Sequence, residues 1–152
     1  FELSEREQNR MVPRAMLVDL PGYGFAKAAA MQRAQWDVLV GDYVAQRQTL
    51  VGIVIVMDAR RPLSAGDEAL IDYVQQRQCL LHLLLTKSDQ LNTADKNSTL
   101  AVVQRRAAQI GSLATVQLFS ALKRQGIDEL TSTLAGWLQL TTGTIEDKKQ
   151  GS

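Results

Sequence analysis

The chain has 152 residues, with 17 Lys and Arg against 16 Asp and Glu and a formal net charge of +1. That is enough chain for one domain and its core, and its charge balance supplies no general attraction to nucleic acid or to a membrane surface. One cysteine, Cys79, excludes an internal disulfide and fits a reducing compartment; with no bilayer-long apolar stretch and no signal-peptide pattern, the expected location is the cytoplasm.

The chain opens on Phe1, not methionine, among residues that read as the middle of a domain, so a fragment of a longer protein is expected. Ala15–Asp19 (AMLVD) is a short apolar run ending in an acid. A helical stripe follows at Trp36, Leu39, Val40, Tyr43 and Val44. Leu50–Asp58 (LVGIVIVMD) is strongly β-branched and again ends in an acid. Next comes a helix carrying Leu70, Tyr73 and Val74 on one face, with a capping-box spacing at Ser64 and Asp67. Leu80–Thr86 (LLHLLLT) reads as a strand beside Cys79, which suits a buried small hydrophobe better than a reactive thiol. A stripe of Leu100, Val103, Ala107 and Ile110 follows a cap placed at Thr93. Thr115–Phe119 is the last strand, and Ile127, Leu130, Leu134, Trp137 and Leu138 mark the last helix. Continuous apolar runs suit parallel strands covered on both faces. The alternation predicts a doubly wound α/β domain over residues 1–140, with a polar tail at 141–152.

Ligands in such a fold collect where strands run into helices, and three loops there carry chemistry. Asp19-Leu20-Pro21-Gly22 follows the first run. Asp19 could hold a water on Mg²⁺, and Gly22 lets a backbone N–H approach a terminal phosphate; the plain alternative is a Pro-Gly turn. Thr86-Lys87-Ser88-Asp89 is more specific. A carboxylate at Asp89 can accept from both the ring N–H and the exocyclic amine of guanine, a donor pair adenine lacks. The Lys87 stem can cover the base, and the Thr86 hydroxyl can tie neighbouring loops; the alternative is a solvated turn. Phe119-Ser120-Ala121, with Leu122 and Lys123, could aim the Ala121 N–H at the guanine carbonyl, or could simply be a helix-entry turn capped by Ser120. Their order, each after an apolar run, favours one guanine-nucleotide site.

Leu17 to Lys27 (LVDLPGYGFAK), Val56 to Leu63 (VMDARRPL) with Asp67, Leu84 to Asp89 (LLTKSD), and Phe119 to Lys123 (FSALK) with Gly126 closely resemble the EngB (YihA/YsxC) family of bacterial ribosome-biogenesis GTPases. The likeness runs from Phe1 to about Leu138. It implies a Ras-like P-loop fold with a mostly parallel sheet, binding of GTP and GDP, and Mg²⁺ as cofactor. It also implies a role in large ribosomal subunit assembly and in cell division and septation, through rRNA or ribosomal protein. Neither a membrane nor DNA is an implied partner. By position, Asp19, Leu20, Pro21 and Gly22 become the phosphate and Mg²⁺ loop; Thr86, Lys87, Ser88 and Asp89, with Phe119, Ser120 and Ala121, become the guanine loops.

Two departures qualify the likeness. No Gly-x-x-x-x-Gly-Lys-[Ser/Thr] occurs in the chain, and no glycine precedes a lysine. That loop, the switch-one threonine and the first strand would lie upstream of Phe1. Tyr23 also stands where Ras-like enzymes carry a water-orienting glutamine, which implies slow intrinsic hydrolysis; no residue is assigned as catalytic. The rival expectation is a binding module for rRNA or ribosomal protein, or an inactive fragment.

Other polar residues have ordinary readings. Arg60-Arg61, together with Lys27, could face rRNA phosphates, but one arginine paired to Asp58 or Asp67 and one solvated is the simpler expectation. Arg105-Arg106 reads as a solvated face, His82 as a packed or edge histidine, and Trp36 and Trp137 as core.

Overall fold

Two compact units make up the chain: residues 1–20 with 128–152, and residues 21–127. The computed structural model describes residues 2–7, 10–20 and 47–139. The helix expected around Trp36, and the tail from 140 onward, lie outside the described residues.

In the first unit, β1 (Glu2–Glu7) and β2 (Arg10–Met16) pair antiparallel. The register slips between Leu3, opposite Ala15, and Ser4, opposite Pro13, so Arg14 is the extra residue of a bulge. The sequence reading of a parallel strand over Ala15–Asp19 is therefore corrected. β2 ends at Met16, and residues 17–20 have no regular structure. Its partner, ELSERE, is too polar to announce a strand, yet an antiparallel pair needs only backbone groups and register. Nor does the apolar run mean burial on both faces: Met16, Leu17 and Val18 are 65%, 37% and 44% exposed.

Among its described residues, the second unit holds three parallel strands, β3 (Gly52–Asp58), β4 (Leu80–Thr86) and β5 (Ala114–Leu118), in the order β3-β4-β5. The central strand β4 buries Leu81 through Leu85, as a continuous apolar run requires. β3, at an edge of the described sheet, instead alternates: Ile55 and Met57 are buried, while Val56 is 57% exposed. Coverage of both faces, expected for every strand, thus holds for β4 and not for β3.

α1 (Ala65–Gln75) follows β3 and packs against it through buried Leu70, Ile71 and Val74. Its capping box forms as expected: Ser64 Oγ accepts from Asp67 N at 3.3 Å, and Asp67 Oδ2 accepts from Ser64 N at 2.6 Å. α2 (Thr93–Ile110) follows β4 and packs on β5, burying Val103 and Ala107. Its cap is Asn92, one residue before the expected Thr93. Asn92 Oδ1 accepts from Asp95 N at 2.9 Å, satisfying a donor that the helix itself leaves open. α3 (Ile127–Leu138) begins at the last residue of this unit and otherwise belongs to the first. Ala135 is its buried residue, and Trp137, expected in the core, is half-buried.

Two polar residues also differ from, or sharpen, the sequence reading. Arg106 is not on a solvated face: its Nε reaches Glu68 Oε2 at 2.8 Å and its Nη2 reaches Asp72 Oδ1 at 2.7 Å, linking α2 to α1 with the side chain only 16% exposed. His82 is packed, as expected. Its Nδ1 lies 2.7 Å from Thr115 Oγ1 and its Nε2 lies 3.0 Å from Gln117 Oε1. Because Gln117 Nε2 donates to Gly126 O at 2.8 Å, the amide presents its oxygen to the ring. Nε2 is then the histidine's donor toward Gln117, and Nδ1 accepts from Thr115.

Candidate functional site

Parallel register brings the C-terminal ends of the three strands side by side: Asp58 opposes Thr86, and Leu85 opposes Leu118. The loops that follow therefore open along one edge of the sheet, where this architecture binds ligands. Backbone bonds lock them together. Ala59 N donates to Thr86 O at 2.9 Å, Phe119 N to Leu85 O at 2.8 Å, and Ser88 N to Phe119 O at 3.1 Å. The Thr86 hydroxyl donates to Met57 O at 2.9 Å, so it ties to the neighbouring strand β3 and not, as expected, to a neighbouring loop.

After Thr86 the chain turns sharply. Lys87 is left-handed at φ 59°, and Ser88–Gln90 form a 3₁₀ turn. This presents Asp89 toward the loop after β5. Ser120 there is fully buried, exchanging backbone bonds with Gln125 at 3.0 Å each way. Its hydroxyl accepts from Lys123 N at 3.0 Å, so its proton is directed to Asp89 Oδ1, 2.5 Å away. One carboxylate oxygen is thereby fixed, which leaves Oδ2 and the remaining lone pair of Oδ1 to meet a pair of donors. Ser120 does not cap a helix entry, since α3 starts only at Ile127; its hydroxyl instead closes the turn at Lys123 N and meets Asp89. Ala121 is exposed, and among the described residues its N–H has no acceptor. Ser88 Oγ is buried without a hydrogen-bond partner among the described residues, a group for which the surrounding contacts offer no compensation.

On the β3 side, Arg60 grips Asp58 three times: its backbone N and Nε reach Oδ1 at 3.0 and 2.9 Å, and Nη2 reaches Oδ2 at 2.6 Å. Lys87 Nζ adds a contact to Oδ2 at 3.1 Å. Chiefly because of the Arg60 hydrogen bond, partly opposed by burial and assisted by Lys87, the Asp58 carboxyl is held well below the usual carboxylate range. The arginine pair thus takes the simpler form expected, with Arg60 on Asp58 and Arg61 exposed.

The structure therefore gathers Thr86, Lys87, Ser88, Asp89, Phe119, Ser120 and Ala121 at one edge of the second unit. Asp19 and Leu20 belong to the first unit, Asp19 exposed and Leu20 half-buried. Pro21, Gly22, Tyr23 and Lys27 lie outside the described residues. No group of three or more His, Cys, Asp or Glu side chains suited to a metal occurs among the described residues. A lone exposed carboxylate such as Asp19 suits a water-mediated contact to Mg²⁺, an ion that keeps several waters and takes other ligands from phosphates. Sequence reasoning missed Asp58 as the partner of Lys87. The signal was available, because two adjacent parallel runs ending at Asp58 and Thr86 place the next residue within reach. It missed Gln117 too, whose only clue was a polar side chain inside a strand.

The comparisons meet this geometry at the same point. No family model matches the chain. A protein of Aromatoleum aromaticum named "Probable GTP-binding protein EngB" is 44% identical over 131 residues, covering 86% of this chain and 61% of that protein. Proteins of the same name from Dechloromonas aromatica and Coxiella burnetii are 43% and 40% identical, over 86% and 91% of this chain. Over the region shared with them, the chain is similar to proteins named EngB. It spans about 60% of the length of these curated relatives, 60–64% for the three named. Among solved structures, translation elongation factor SelB from Methanococcus maripaludis in its apo form gives a TM-score of 0.66 at 18% identity, covering 91% of this chain and 28% of that one. The same factor in complex with the GTP analogue GppNHp gives 0.65, covering 100% of this chain and 30% of that one. At this identity the likeness carries the fold alone: a mostly parallel, Ras-like α/β arrangement, as the EngB resemblance implied. No helix among the described residues is long and apolar enough to cross a membrane.

Proposed function

We propose that this chain supplies the guanine-recognition part of an EngB-type GTP-binding protein that works as a nucleotide-controlled switch. The observation that carries the reading is Asp89, held by the Ser120 hydroxyl at the joined ends of β4 and β5. An oriented carboxylate there matches the ring N–H and amine of guanine, while Ala121 N–H matches the carbonyl oxygen. Adenine would leave both sets unpaired, which is how hydrogen-bonding sites discriminate strongly. The EngB relationship supports the same ligand.

In this reading Lys87 would cover the base, Asp19 would hold a water of Mg²⁺, and Gly22 would serve the terminal phosphate. When bound, the ion would neutralise phosphate charge; Asp19 contributes orientation of its water and nothing more. Phosphate-binding residues of the Gly-Lys-[Ser/Thr] type are not among the 152 residues, so the chain's own contribution is base recognition and the segment after Asp19. Assembly of the large ribosomal subunit, with a consequence for cell division and septation, is the proposed setting of the switch, in the cytoplasm. Hydrolysis would be slow without a partner, because Tyr23 cannot orient water as an amide does.

Asp89→Asn tests the reading. The amide keeps an acceptor for Ser120 but offers a donor, so GDP affinity should fall on the order of 100-fold or more while xanthine nucleotide gains. Competition titration against a fluorescent guanine nucleotide measures both, and an unchanged base preference would remove Asp89 from the site.

A further inference from the structure

Lysine is a poor residue for a preformed site, because its four-carbon stem leaves the ammonium free to wander. In this chain both ends of Lys87 are fixed. At the root, its backbone is left-handed, with φ 59°, between the last residue of β4 and the 3₁₀ turn. At the tip, Nζ sits 3.1 Å from Asp58 Oδ2. Asp58 is itself immobilised: Arg60 takes both carboxylate oxygens through Nε, Nη2 and its own backbone N–H, so the acid cannot swing out to follow a moving amine. The lysine comes to the carboxylate. The turn around Asp58 is braced as well, since Ala59 is fully buried, donates its N–H to Thr86 O, and accepts from the Thr99 hydroxyl at 3.3 Å.

We propose that Asp58 is a positioning residue for guanine recognition: by holding Lys87 Nζ it sets the lysine's course across the nucleotide-free site before a base arrives. The inference rests on the nucleotide reading above, because placement of Lys87 matters only if Thr86–Asp89 receives a base. Ordering a side chain in the free protein removes that cost from the binding step. Asp58 remains ionised through the neutral range, so the arrangement does not depend on pH there. The Lys87 side chain is half exposed, so the gain is modest.

The stem of Lys87 would touch the face of the base, whereas Asp89 reads its edge, and the two roles separate experimentally. GDP and IDP differ only by the exocyclic amine that Asp89 reads. With the full chain, Asp58→Asn should weaken GDP and IDP by the same factor, about three- to fivefold, leaving their ratio unchanged. In a Lys87→Met background the same substitution should have no further effect. Equal or tighter binding by Asp58→Asn would overturn the proposal. So would a loss that persists undiminished without Lys87, or a collapse of the GDP-to-IDP ratio, which would mean that the whole loop had shifted. A measurement on the unaltered chain guards against a variant that fails to fold: NMR of the nucleotide-free protein should show Lys87 side-chain signals that are ordered, unlike those of solvated lysines. Averaged Lys87 signals in a chain that binds GDP would sink this inference alone; absence of GDP binding would sink the nucleotide reading instead.

Discussion

The two segments that bear most of the family resemblance are built in opposite ways. Around Asp89 each turn is tied to another: Thr86 to Met57, Ser88 to Phe119, Ser120 to both Gln125 and Asp89. Asp19, in the other unit, stands three residues beyond the end of β2, exposed, and its carboxylate has no partner among the described residues. On the proposed reading, recognition of the base is therefore a property of the folded sheet edge. Whatever Asp19 does on the proposed reading must be completed by phosphate, ion and water. Preformed contacts give selectivity, and contacts completed by the ligand give sensitivity to what the ligand carries.

That contrast can be broken at its strong side first. Gly126 has φ 83°, and a Cβ there would stand 2.5 Å from Leu118 O and 2.7 Å from Gln117 Nε2. Gly126→Ala should cost about 2–4 kcal/mol, because strain and a backbone clash add. Urea unfolding would read it, and a near-native midpoint would mean that the turn carrying Ser120 is looser than described.

Ser120→Ala should fold but release Asp89, weakening GDP about tenfold. Unaltered affinity would show that something other than the hydroxyl sets the carboxylate. On the weaker side, Asp19→Asn should lose only the Mg²⁺-dependent part of GTP affinity, about fivefold, with base preference intact. A change in base preference would join two regions held here to act separately.

The smallest effect concerns pH. Asp58 has its folded pKa depressed, so its stabilising contribution is present above the unfolded value of about 3.9 and is lost only as pH falls through the lower folded value. Its carboxylate ¹³C shift should therefore hold constant from pH 7 down to about pH 4, where unpaired acids are already titrating. Titration of Asp58 near pH 4 would contradict the Arg60 clasp.

How much of this was legible in the sequence follows from what each element needs. β4 was readable because a strand buried on both faces must be apolar throughout, and residues 80–85 are, save for His82. The start of α1 was readable because a capping box has fixed spacing. β1 was not, since an antiparallel pair draws on backbone groups that Glu2–Glu7 supplies whatever its side chains are. The Asp89 loop was visible as a motif, yet its hydrogen bond to Ser120 joins residues 31 apart and depends on the β4–β5 register. Arg106 was misread because its partners, Glu68 and Asp72, sit on another helix. Local patterns reveal elements; contacts between elements appear only once the sheet has set their order.

The central claim is that the ends of β4 and β5 form a site for guanine and not for adenine. A fluorescent-GDP titration of the chain with Mg²⁺, competed in turn by GTP and ATP, tests it most directly. The account predicts saturable binding that GTP displaces and ATP does not. Binding displaced equally by ATP, or no binding at all, would contradict it.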